Sequence, residues 1–366
     1  MSELEVTAVD VAAYTIPTDA PEADGTLAWD STTMVVVRVA TSDPDLPTGL
    51  GWTYAPAAAA AAVTGLLAGQ VRGRDPRRVE ECWQAMVRAV RNAGRPGLIG
   101  MAISAVDVAL WDLHARLLGV PIQQLLGTVR GDVPLYGSGG FTTYDEGQLR
   151  RQVTGWLDAG MERVKIKIGE SWGTDVARDL ARVEQVRSIV GDDVEIFVDA
   201  NGGYSTKQAI RVGHELDRLG VTWFEEPVTS DDPAGLARVR DRLLLDVTAG
   251  EYGWTLAALR QLVGSVDCLQ IDATRCGGYT EWRRAAAVAA GHGLEVSAHC
   301  APLLHAPVAL ATPNLRHVEW FHDHVRIEAM AFDGAPPQVG GALQPPEGPG
   351  NGLVFKESDM ERYRVA

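Results

Sequence analysis

Arg163-Val-Lys-Ile-Lys-Ile-Gly169 alternates strictly, Val164, Ile166 and Ile168 against Lys165 and Lys167. On a strand, alternate residues share a face, so two ammonium groups stand side by side opposite three β-branched side chains. Such a face is either a solvated edge blunted by lysines or a surface that meets anions. Downstream, ionisable residues recur where apolar runs end: Phe197-Val-Asp-Ala-Asn201, Trp223-Phe-Glu-Glu-Pro227, Thr248-Ala-Gly-Glu251, Gln270-Ile-Asp272, Ser297-Ala-His299 and His317-Val-Glu319. A single acid in that position is an ordinary turn residue or helix cap. Recurrence at the same point of successive units asks for another reason. Asp199, Glu225 and Glu251 are spaced 26 residues apart, with Glu226 open as an alternative to Glu225. Three converging carboxylates repel one another. A hard divalent ion relieves that repulsion, and carboxylates with water suit Mg2+.

The elements that would position these residues follow a strand–helix rhythm. Eight apolar runs read as strands: Val133–Tyr136, Val164–Ile168, Val194–Val198, Val221–Phe224, Leu245–Thr248, Cys268–Ile271, Leu294–Ala298 and Leu315–Val318. Amphipathic stretches such as Asp145–Leu157, Thr174–Ile189, Thr206–Arg218 and Glu281–Ala290 separate them. The pattern predicts an α/β fold, a (β/α)8 TIM-type barrel whose strand C-termini form the active face. An open doubly wound sheet fits less well, because no GxGxxG turn follows the first strand. Before the barrel, Leu4–Val11, Thr33–Ala40 and Gly49–Tyr54 read as antiparallel strands. Three helical stretches follow, Ala57–Val71, Arg77–Asn92 and Ala102–Gly119. Strands followed by helices predict a separate α+β capping domain. Pro17–Asp30 reads as a long loop rich in Pro, Asp and Gly. The expected division is 1–130 for the capping domain, 131–330 for the barrel, and 331–366 for a Pro/Gly-rich segment that returns to the cap.

Composition narrows the function. With 366 residues and 46% hydrophobic content the chain can bury a large core. A net charge of −15 argues against a nucleic acid or an anionic membrane as the main partner. Cys82, Cys268, Cys276 and Cys300 show no CxxC spacing and read as reduced thiols. The N-terminus lacks the apolar core of a secretory signal, and the alanine-rich run Ala55–Gly69 is too short to span a bilayer. These features lead us to expect a cytoplasmic protein.

Taken in order, the helix Ala102-Ile-Ser-Ala-Val-Asp-Val-Ala-Leu-Trp-Asp-Leu, Lys165-Ile-Lys167, Asp199-Ala-Asn201, Glu225-Glu-Pro227, Ala249-Gly-Glu251, Asp272 through Arg275-Cys-Gly-Gly278, His299 and Glu319 resemble the enolase superfamily, mandelate racemase subgroup. The resemblance implies Mg2+ held by Asp199, Glu225 and Glu251, with Glu225 rather than Glu226 aligned to the family ligand. It implies Lys167 as the base on one substrate face and Lys165 as its electrostatic neighbour. It implies His299, oriented by Asp272, as acid/base on the other face, and a protonated or proton-sharing Glu319 on a substrate carboxylate oxygen. Two lysines on one face lower each other's pKa, which leads us to expect a neutral Lys167. The implied partner is a small carboxylic acid, and a homo-oligomer is expected by resemblance.

The shared chemistry is removal of a proton next to a carboxylate to give an enediolate. Dehydration of a sugar acid to a 2-keto-3-deoxy acid ranks first. Racemisation, epimerisation and cycloisomerisation use the same groups. A non-catalytic metal-binding barrel and a Schiff-base lysine enzyme are rival classes. Between Thr15 and Asp30 there are Asp19, Glu22, Asp24, Trp29 and Asp30 but no Lys or Arg. That argues for a mono-acid sugar, or a substrate with a cationic group near Trp29 or Trp52. Asn201 and Tyr136 complete the expected substrate contacts, and His322-Asp-His324 reads as mouth-loop polarity.

Overall fold

A computed structural model of the protein describes residues 4–366. Three antiparallel strands come first: β1 (Val6–Ala23), β2 (Ala28–Thr41) and β3 (Gly49–Tyr54). Gly49 and Gly51 on β3 let a helix lie directly on the sheet. A Cβ on either would stand 2.2 Å from a backbone oxygen, of Ala109 and Ala105 respectively. That helix, Leu98–Leu118, ends at the left-handed Gly119. By length and composition it could cross a bilayer, but 78% of its apolar window is buried inside the protein. It is a core helix, wedged between the cap and the barrel. Its Asp112 Oδ2 accepts from Leu50 N at 2.8 Å on one side, and its Asp107 Oδ1 accepts from Thr280 Oγ1 at 2.6 Å on the other.

The barrel strands are β4 (Val133–Gly139), β5 (Arg163–Lys167), β6 (Glu195–Asp199), β7 (Val221–Glu225), β8 (Asp246–Ala249), β9 (Cys268–Ile271), β10 (Glu295–Ala298) and β11 (Leu315–Phe321). Each pairs in parallel with the next, and β11 pairs with β4, so the sheet closes. Closure leaves no edge, and the solvated-edge reading of the lysine strand falls. Lys165 is fully buried and Lys167 is 5% exposed. Register matters more than closure: Lys167 lies level with Asp199, and Asp199 level with Glu225.

The segment Pro17–Asp30, read as a loop, is instead the far end of a hairpin. Glu22 pairs with Trp29 and Ala23 with Ala28, past an irregularity that begins after the Pro17–Ser31 pair and takes in Pro21. Asp24 Oδ1 accepts from the backbone N–H of Leu27 at 2.7 Å and makes the turn. The tip docks on the barrel mouth, where Thr142 N donates to Ala23 O at 2.8 Å and Trp172 N donates to Gly25 O at 2.9 Å. Near the end of the chain, Ala342–Leu343 pairs beside β4 and Val365 N donates to Ala13 O at 2.8 Å.

Candidate active site

The C-terminal ends of β5 to β8 gather five buried charges. Lys165 Nζ lies 2.6 Å from Glu225 Oε1, 2.8 Å from Glu319 Oε1 and 3.9 Å from Asp199 Oδ2. Lys167 Nζ is paired with Asp199. Burial disfavours the Lys165 ammonium, yet Glu225, Glu319 and Asp199 outweigh it and raise its pKa well above the usual lysine range. Lys167 is raised too: burial and the neighbouring lysine lower it, and Asp199, Glu319 and Glu225 together outweigh them. This corrects the expectation of a lysine kept neutral by its twin, since the acids around the pair are closer and more numerous than the lysines themselves. Asp199 is both the proton-holding partner of Lys167 and part of the carboxylate cluster, so a cation bound there competes with the ammonium for it.

Asp199, Glu225 and Glu251 each place a carboxylate oxygen within 4.8 Å of the others, and all three are buried. Burial, with repulsion from Asp199 and Glu319, pushes Glu225 up to about 7 despite Lys165. Glu251 Oε2 is buried and accepts no well-aligned hydrogen bond, its nearest cationic group being His299 Nε2 at 3.2 Å. A buried oxygen without a well-aligned donor, in a set of converging acids, fits a divalent cation with oxygen ligands. Glu226, which the sequence left open, has φ of +38° and bonds Ser230 instead. Asn201 follows in a left-handed conformation, donates its N–H to Asp199 Oδ1 at 2.8 Å, and keeps a buried Oδ1 without a partner beside the cluster.

The ends of β9 to β11 supply the opposite wall. His299 Nδ1 lies 2.8 Å from Asp272 Oδ2, and Nε2 points inward, 3.2 Å from Glu251 Oε2. Burial alone would lower the His299 pKa, but Glu251 and the Asp272 bond leave it raised. Asp272 is held below the usual carboxylate range by His299 despite burial. Glu319 takes hydrogen bonds from Ser138 Oγ, Lys165 and, at 2.8 Å, the Cys300 N–H. Lys165, with His299 and Lys167, outweighs burial and holds Glu319 well below the ordinary range, so of the protonated or proton-sharing forms that the resemblance implied, the structure favours a carboxylate that shares the protons of Ser138 and Lys165.

Two expected substrate contacts lie elsewhere. Trp52 is wholly buried, its ring 4.5 Å from that of Phe332. The aromatic that β3 brings to the mouth is Tyr54, two residues on along the same face, stacked on His324 at 3.4 Å. Tyr136 sits below the lysines in a layer with Phe197, Trp223 and His317, its ring 5.3 Å from Lys165 Nζ. On β4 it is Ser138, one repeat further along, that reaches the charged layer. Trp29 does stand at the rim, edge-on to Phe141 and donating Nε1 to Glu22 Oε2 at 2.8 Å. Reading the sequence assigned no role to Arg275, which lies 3.3 Å from both Glu251 and Asp272. It also missed Cys300, whose Sγ is 3.2 Å from His299 Nε2. A surface cavity of about 530 Å³ opens at the other end of the barrel, where Arg163, Glu195, Asp246 and Arg316 line it. None of the residues above the lysines reaches it.

Comparison with known proteins agrees with this geometry. Residues 6–127 match the mandelate racemase / muconate lactonizing enzyme N-terminal domain, and residues 148–359 match the enolase C-terminal domain-like family. The chain belongs to the mandelate racemase/muconate lactonizing enzyme family. A mandelate racemase/muconate lactonizing enzyme-like protein from Rubrobacter xylanophilus is 45% identical, with TM-score 0.95 over 99% of this chain and 100% of that one. A racemase from Streptomyces coelicolor, solved with bound magnesium, is 30% identical, with TM-score 0.92 over 98% and 100%. The 3,6-anhydro-alpha-L-galactonate cycloisomerase of Streptomyces coelicolor is 32% identical over 91% of each chain. The D-galactonate dehydratase of Verminephrobacter eiseniae is 34% identical over 68% of this chain and 66% of its own. Mg2+ is the cofactor of the family, and the acids that would take it are present here.

Proposed function

We propose that this protein is a Mg2+-dependent enzyme that removes the proton next to the carboxylate of a sugar acid, and that the outcome is dehydration of a mono-acid to a 2-keto-3-deoxy acid. The observation that carries the reading is that two different proton-transfer groups, Lys167 on β5 and the residue after β10, His299, flank one cluster of three carboxylates. Asp199, Glu225 and Glu251 would hold the cation, which when bound supplies Lewis-acid stabilisation of negative charge on the substrate carboxylate. Lys165 adds a fixed positive charge on the same side. Lys167, in its neutral form, takes the α-proton. The electron pair left behind forms the carbon–carbon double bond as the β-hydroxyl departs, and His299 gives that hydroxyl its proton, so water leaves. Asp272 keeps the His299 ring oriented and favours its protonated form. The enol then tautomerises to the keto acid.

The mono-acid preference rests on the hairpin, which brings Asp19 and Glu22 to the rim beside His322 and Trp29 and carries no lysine or arginine of its own. A second reading, cycloisomerisation, is supported by the cycloisomerase relative that matches across nearly the whole chain. An acid-sugar library with Mg2+, scored for keto-acid formation and for α-proton exchange in D2O, separates them. Dehydration predicts keto acid from mono-acids. Exchange without keto acid favours an isomerase, and turnover of aldarates alone sinks the mono-acid reading.

A further inference from the structure

A second group of ligand-type side chains lies outside the barrel centre. Asp19 and Glu22 stand on β1 where its ladder slips, and His322 opens the helix His322–Ala331 that follows β11. His322 Nε2 is 3.1 Å from Asp19 Oδ2. Glu22 is fully buried; its Oε2 accepts from Trp29, while Oε1 is buried with no donor at all. One donor atom from each of Asp19, Glu22 and His322 lies within 4.8 Å of the others. The acid beside them, Asp323, does not supply the missing donor, because it is itself an acceptor bound by Thr32 and Arg326. Arg326 is already bound to Asp323, so it leaves the Glu22 oxygen without a cation.

We propose that Asp19, Glu22 and His322 form a second cation site, suited to a first-row transition ion such as Zn2+ rather than to Mg2+, that pins the hairpin to the barrel rim. An imidazole nitrogen with two carboxylates is a donor set for Zn2+, whereas Mg2+ takes oxygen alone. The 3.1 Å between His322 and Asp19 is close to the separation of about 3.3 Å between neighbouring ligands on a tetrahedral Zn2+. The ion would satisfy the orphaned Glu22 oxygen and offset the local excess of acids. Because two ligands belong to the hairpin and one to the barrel, binding holds the hairpin down. The inference does not rest on the reaction proposed above.

The test uses the full chain saturated with Mg2+, titrated with Zn2+ and analysed for retained zinc, beside His322→Ala and Asp19→Asn. Wild type should retain one zinc per chain more than either variant. Exchange of the backbone amides of 15–30 should slow about tenfold in wild type at ten times the Kd, and not in the variants. Zinc entering the barrel centre appears equally in all three proteins and cancels from the difference. Equal zinc in wild type and both variants, or no protection confined to the hairpin, overturns the proposal.

Discussion

Two groups of acids meet at the barrel mouth, the first wholly buried and the second partly exposed, and they are built differently. Asp199, Glu225 and Glu251 stand on adjacent strand ends, two of them in direct ladder register, with Lys165, Lys167 and Arg275 among them. Asp19, Glu22 and Asp323 are assembled from a hairpin and the start of a helix, and Arg326, bound to Asp323, is the guanidinium beside them. The first group is held by closed sheet hydrogen bonding, so its geometry cannot drift without breaking the barrel. The second depends on how a long hairpin seats itself. Chemistry common to a family belongs in the first kind of site, and selection among substrates belongs in the second.

The comparison breaks most readily at the lysines. Lys167→Ala should cut α-proton exchange on its face by about 10²- to 10⁴-fold, while His299→Asn keeps part of that exchange and loses keto-acid formation. Full activity in both variants would mean that the barrel charges are not the working ones. A smaller effect is expected where the hairpin lands. A Cβ on Gly25 would stand 2.5 Å from Ile168 O, so Gly25→Ala should weaken docking by about 1–3 kcal/mol. Raised KM and faster exchange of hairpin amides, with Mg2+ affinity unchanged, is the signature. An unchanged KM would show that the hairpin does not seat as described.

A further effect is a pH slope. Glu22 faces Asp19, Asp323, Arg326 and Trp29, and its pKa in the docked hairpin is raised to about 8. A raised carboxyl favours the docked state below the ordinary carboxylate range, and that contribution is lost as pH rises through about 8. Hairpin protection, corrected for intrinsic exchange rates, should therefore fall between about pH 4.5 and pH 8 and level off above that. Glu22→Gln should flatten that fall. A slope that survives the substitution would assign it to another group.

Much of the first site was legible because strand alternation and a constant spacing between strand ends need no tertiary information. All eight barrel strands overlap the runs marked by apolar residues, with ends that differ by at most three positions. Depth along a strand was harder to read. Tyr136 and Trp52 sit on the expected faces but one repeat too far from the mouth, and alternation says nothing about depth. The hairpin was misread because prolines and an Asp-Gly turn mark loops by composition, while its pairing is decided by partners across the sheet. The charge state of Lys167 was misjudged for a similar reason: the carboxylates that hold its proton come from other strands, so local sequence shows the repulsion and hides the attraction.

The order of the strands also divides the chemistry along the polypeptide. The lysines and all three cation-facing acids lie in one continuous stretch from β5 to Glu251, and Asp272, His299 and Glu319 follow in the next, from β9 to β11. The linking segment between Glu251 and Cys268 carries none of them. A genetic crossover there would replace the proton-delivering wall as a block while leaving the cation-facing wall intact. The two halves of this active site are heritable separately, and that gives a barrel of this kind a route to a new reaction without rebuilding the step it already performs.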